Sequence, residues 1–89
     1  MLFEWDEAKR EANLAKHGLD LLRGADLFDG RPVYTYPSPR GDEPRSVTVG
    51  LVAGQLLALV WTRRGEAVRL ISLRRARGGE KDAYRARHG

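Results

Sequence analysis

Between Arg45 and Leu73 the chain carries three apolar stretches with almost nothing between them, which leaves few folds open. Val47, Val49 and Leu51 alternate with Ser46 and Thr48, the period of a strand with one face toward a core. Ala53-Gly54 reads as a turn. Leu56–Thr62 is nearly continuous apolar sequence, as expected of a central strand covered on both faces. Arg64-Gly65 marks a second tight turn, and Ala67–Leu73 completes the set. Connections this short join only antiparallel neighbours, so the segment predicts an antiparallel meander.

The flanks supply helices. Phe3 and Trp5 alternate with Glu4 as a short strand, with Trp5 expected in the core or as a helix staple, and Asp6 can accept from the free amides of a first helical turn. Glu7–His17 is rich in Ala, Glu, Lys and Arg, with Ala8, Ala12 and Ala15 on one face, and Gly18 stops it. Asp20 can cap a second, shorter helix reaching about Asp29, whose inward stripe would be Leu21, Ala25 and Phe28. Val33–Tyr36 predicts a strand, followed by an exposed loop marked by Pro37, Pro39, Gly41 and Pro44. A last helix runs to about Arg87, its start delayed by Gly78-Gly79. The order β-α-α-β-β-β-β-α predicts one α+β domain over residues 1–89, with two N-terminal helices and one C-terminal helix on a small antiparallel sheet.

Charge narrows the function. The net charge of +4 is concentrated: residues 1–62 hold 7 Lys/Arg and 9 Asp/Glu, whereas residues 63–89 hold 9 and 3. A basic carboxyl-terminal third is the electrostatic footprint of a polyanion-binding surface. The absence of cysteine removes disulfides and thiolate chemistry, and two isolated histidines offer no metal site, so no cofactor is expected. The opening residues turn acidic too soon for a signal peptide, and no apolar run spans a bilayer, which predicts a cytoplasmic protein without a membrane partner.

The ordered set Phe3-x-Trp5-Asp6-x-x-Lys9-x-x-x-Asn13-x-x-Lys16-His17-Gly18, Ala25, Phe28-Asp29 and Arg45-x-x-x-Val49-Gly50 resembles the BrnT toxins. Val60-x-Thr62, Arg69-Leu70-Ile71-Ser72-x-Arg74-Arg75-Ala76, Glu80 and Tyr84 continue the resemblance over nearly the whole chain. The resemblance implies a RelE-like fold and a metal-independent endoribonuclease that stops translation. It also implies a small BrnA-type antitoxin that neutralises the toxin and carries the DNA contact, so that DNA is met only indirectly.

Metal-free RNA cleavage needs a base for the 2′-hydroxyl, cationic donors for the phosphate and an acid for the departing 5′-oxygen. Arg69 is charged within an otherwise apolar strand, and Arg74 and Arg75 end that strand pointing opposite ways. A guanidinium fork suits a phosphate. Two-residue alternation sets Arg74 with Val68, Leu70 and Ser72 and away from Arg69, unless the chain bends. Glu80 and Tyr84 share a helix face four residues apart, Glu80 as a base or as a partner of Arg77 or Arg87, Tyr84 as a proton donor, a stacking platform or a helix anchor. The catalytic candidates are therefore Arg69, Arg74, Glu80 and Tyr84. His17 is a further acid–base candidate or a cation at the end of its helix. Lys9, Lys16, Arg63 and Arg75 are candidate RNA contacts. Charge alone also fits a non-catalytic basic nucleic-acid-binding module.

Overall fold

The computed structural model describes residues 1–39 and 42–89, so Gly41 of the proline-marked loop lies outside the described residues. Among these, the chain forms β1 (Leu2–Glu4), α1 (Glu7–His17), a 3₁₀ helix (Leu21–Phe28), β2 (Val33–Ser38), β3 (Arg45–Val52), β4 (Gln55–Arg64), β5 (Ala67–Arg75) and α2 (Gly78–His88). The five strands make one sheet in the order β1-β5-β4-β3-β2. From β2 to β5 every pairing is antiparallel, and the hairpin at Ala53-Gly54 has both residues at positive φ, the geometry that matches strand twist. β1, however, runs parallel to β5, setting Phe3 beside Val68. The sheet is therefore mixed, not purely antiparallel. The cause is not local: α1 carries the chain away from β1 before the meander begins, and Phe3 is fixed by the ring of Phe28, 5.6 Å away.

Each sheet face has its own core. On one face Leu57, Leu59, Val68, Leu70 and Leu73 pack with Leu21 and Leu27 of the 3₁₀ helix. On the other, Val47, Val49 and Ala58 pack with Ala76 and with Tyr84 of α2. Leu56–Thr62 is apolar because β4 serves both cores.

Asp6 and Asp20 cap their helices as expected, accepting from the amides of Ala8 and Leu22 at 2.8 and 3.1 Å. The second helix is 3₁₀, however, with three residues per turn, so its buried stripe is Leu21, Gly24 and Leu27 rather than Leu21, Ala25 and Phe28. Gly24 is required by a close approach: a Cβ there would stand 2.6 Å from Leu59 Cδ1. In α1, Ala8, Ala12 and Ala15 are exposed and Asn13 is the one buried residue. β1 covers β5 only as far as Arg69, and Asn13 satisfies the edge beyond it. Its side chain accepts from the Leu73 amide at 2.9 Å and donates to the Leu73 carbonyl at 2.9 Å and the Leu19 carbonyl at 2.8 Å. Trp5 is exposed, its indole donating to Glu7, and is not core. β2 continues through Pro37, which an edge strand tolerates. Gly78 and Gly79 form the first turn of α2 and do not delay it.

Candidate active site

β5 contains a bulge that decides the site. Val60 pairs with Ser72 and Trp61 with Leu70, which leaves Ile71 as an extra residue. Alternation is thereby reset, so Val68, Leu70 and Leu73 enter one core. Arg69, Ser72 and Arg74 face the other side together, which overturns the two-residue alternation that separated Arg74 from Arg69. The bend falls before Leu73.

On that side Arg74 meets the first turn of α2. Its guanidinium donates both terminal nitrogens to Glu80, at 2.7 and 2.9 Å. Glu80 also accepts from the Arg77 amide at 2.8 Å and from the Tyr36 hydroxyl. Only 8% of the Glu80 side chain and 14% of the Arg74 side chain are exposed. Burial alone would raise the Glu80 pKa, but the donors from Arg74, the Arg77 amide and Tyr36 more than offset it and hold the carboxyl at about 2. Burial and the neighbouring carboxylate push the Tyr36 hydroxyl up. Glu80 is thus neither on a solvated face nor bonded to the side chains of Arg77 or Arg87. A carboxylate bonded on this many sides fixes Arg74 in place.

Two concavities meet at the bulge. One, of about 330 Å³, is bounded by Tyr36, Arg45, Arg74 and Arg77. The other, of about 180 Å³, is bounded by Lys9, Asn13, Lys16 and His17. Ile71 and Ser72 line both, so the two adjoin across β5 as the two halves of a trough, and no carboxylate lines either among the described residues. His17 stands on its α1 bank. Burial lowers the imidazole pKa and the charges of Lys16, Arg74 and Arg75 lower it further, so the ring is neutral at pH 7 and able to accept a proton. It lies in the last turn of α1, which Gly18 closes in the left-handed conformation, and Arg75 donates to the His17 carbonyl at 2.9 Å.

The other candidates lie elsewhere. Arg69 shares the trough's sheet face but pairs with Glu4 at 3.5 Å. Tyr84 is buried in the α2 core, its ring 5.1 Å from that of His88, which is the anchoring role. Tyr84 and Arg75 also border a separate cavity of about 590 Å³, with Lys81 and Arg85. Arg63 pairs with Val68 at the β4–β5 hairpin and faces the opposite side of the sheet. Tyr36 was not singled out from sequence, Arg45 entered only through the family motif, and Arg77 only as a partner for Glu80. Arg45 carried a usable signal, being a charge in phase with Val47 and Val49, whereas nothing local links Tyr36 to Glu80, 44 residues away.

Among the described residues, no helix is long and apolar enough to cross a membrane. No curated protein gives a significant match to the chain. The family described as "Ribonuclease toxin, BrnT, of type II toxin-antitoxin system" matches residues 5–80, a span containing α1, the trough and the Arg74–Glu80 pair. The chain belongs to the BrnT family of ribonuclease toxins of type II toxin–antitoxin systems.

Proposed function

We propose that this chain is a metal-independent endoribonuclease that inhibits translation by cutting RNA in the trough over the β5 bulge, and that a small BrnA-type antitoxin neutralises it in the cytoplasm. A RelE-like relationship, with DNA contacted only through the antitoxin, belongs to the same reading. The observation that carries it is a pair of adjoining concavities, one lined by a fixed guanidinium, Arg74, and the other by an imidazole of lowered pKa, His17, without a lining carboxylate among the described residues. Local positive charge concentrates a polyanion there.

The roles follow from the chemistry. His17 takes the proton of the 2′-hydroxyl, whose oxygen attacks phosphorus while the bond to the 5′-oxygen breaks and that oxygen takes up a proton from water. Arg74, held by Glu80 and Tyr36, presents donors to the charge that builds on the phosphoryl oxygens, and preorganisation of this kind is worth about 10²–10³ in rate per donor. Lys9 and Lys16 lie seven residues apart on α1, about two turns, and contact flanking phosphates. Arg69 adds charge to the same sheet face. Glu80 is a positioning residue, and Tyr84 holds α2 to the sheet.

The test is cleavage of single-stranded RNA by the purified chain with and without EDTA. Expected are cutting that persists in EDTA, resistance of a substrate with 2′-deoxyribose at the cleaved position, and growth arrest on expression relieved by the antitoxin. His17→Ala and Arg74→Lys should both lose most activity while remaining folded. Intact RNA together with normal growth would sink the reading.

A further inference from the structure

Arg45 opens β3 in phase with Val47 and Val49, so it lies on the trough's side of the sheet. The register that pairs Ser46 with Trp61 sets Arg45 beside Thr62, and Thr62 pairs with Arg69. Thr62 also donates to the Pro44 carbonyl, which fixes the backbone immediately before Arg45. Arg45 therefore stands on the sheet in the row of Thr62 and Arg69, one row from Ser72 and two from Arg74.

Its bonding is incomplete. The Arg45 Nε is buried and has no hydrogen-bond partner among the described residues. The nearest acid is Glu43, whose carboxylate lies 3.9 Å from a terminal nitrogen and is 47% exposed, so solvent screens that contact. A buried donor without an acceptor is costly and rare in a native fold unless a ligand, ion or water meets it. Arg74, by contrast, already spends one donor of each terminal nitrogen on Glu80. The concavity thus contains one guanidinium paired with a carboxylate and, on its far strand, a second whose Nε–H has no acceptor among the described residues.

We propose that Arg45 is a phosphate-binding residue of the RNA site, its Nε–H and a terminal N–H forking onto the phosphate that flanks the one held by Arg74. This rests on the ribonuclease reading for the identity of the polyanion, and it adds a subsite that neither the sequence pattern nor the family assignment supplies. A flanking contact binds ground state and transition state alike, so its loss raises KM rather than lowering kcat.

The experiment compares the purified chain with its Arg45→Ala and Arg45→Lys variants, all checked for folding by circular dichroism and thermal melting. The probe is a short RNA with a 2′-deoxy residue at the cleaved position, which binds without being cut. Expected for Arg45→Ala are a KM for ordinary RNA raised about tenfold and a kcat within about threefold. The slope of log affinity against log salt should shrink by about 0.7, one phosphate on a single strand. Arg45→Lys should keep most of the salt slope but lose affinity, because an ammonium lacks the fork. In the parent protein the Arg45 Nε–Hε resonance should shift as the probe is titrated. An unmoved resonance with unchanged KM and salt slope in Arg45→Ala overturns the proposal, even where RNA is cut in EDTA. If the parent cuts nothing but the resonance follows the probe, the subsite stands and the cleavage reading fails.

Discussion

Replacing Glu80 with glutamine keeps the side-chain volume and removes the charge that Arg74 and Tyr36 both address. The Glu80 carboxyl lies near 2 in the fold against an ordinary 4.5, and each unit corresponds to about 1.4 kcal/mol, so the charged form contributes roughly 3 kcal/mol. An independent estimate agrees: removing one partner of a buried ion pair costs about 3–5 kcal/mol, because the other charge is left uncompensated. For a domain of this size that lowers Tm by roughly 10–20 °C. The pH dependence separates this from a simple packing defect. Because folding depresses the pKa, the stabilisation is complete above the unfolded value of about 4.5 and is lost as pH falls toward 2. Urea unfolding of the parent and of Glu80→Gln should therefore differ by about 3 kcal/mol at pH 7 and by under half of that at pH 3. Equal midpoints at pH 7, or a deficit constant from pH 7 to pH 3, would refute the reasoning.

Asn13→Ala removes the side chain that completes the β5 edge and should destabilise by about 3 kcal/mol, with faster hydrogen exchange at the Leu73 amide as its local signature. Gly24→Ala drives a methyl to 2.6 Å from Leu59 and should cost about 1–3 kcal/mol in urea titrations, whereas Gly79→Ala, with open space around its Cβ, should gain roughly 0.5–1 kcal/mol. The pH profile of kcat/KM should show an acid limb below about 6.5, since His17 must be neutral and its pKa is depressed; His17→Ala should abolish that limb and lower the rate by about 10²–10⁴.

What could be read along the chain was whatever neighbours decide. Alternation in Arg45–Leu51, the turn at Ala53-Gly54 and the unbroken apolar run of β4 define a meander, because side-chain period and loop length act over a few residues. Asp6 and Asp20 declare helix starts for the same reason. Charge counting located the basic third, and the Arg74 and His17 candidates both reach the trough. Contacts between distant segments settled the rest. Phe3 packs on Phe28 where β1 runs parallel to β5, and the buried stripe of the second helix fits against Leu59 only because Gly24 has no Cβ, which would stand 2.6 Å from Leu59 Cδ1. One extra residue at Ile71 turned Arg69 and Arg74 to the same side, a choice that alternation within the strand cannot encode because only the partner strand reveals the shift. Tyr36 and Glu80 are 44 residues apart, and their hydrogen bond, which helps Glu80 clamp Arg74, exists only when both cores have formed.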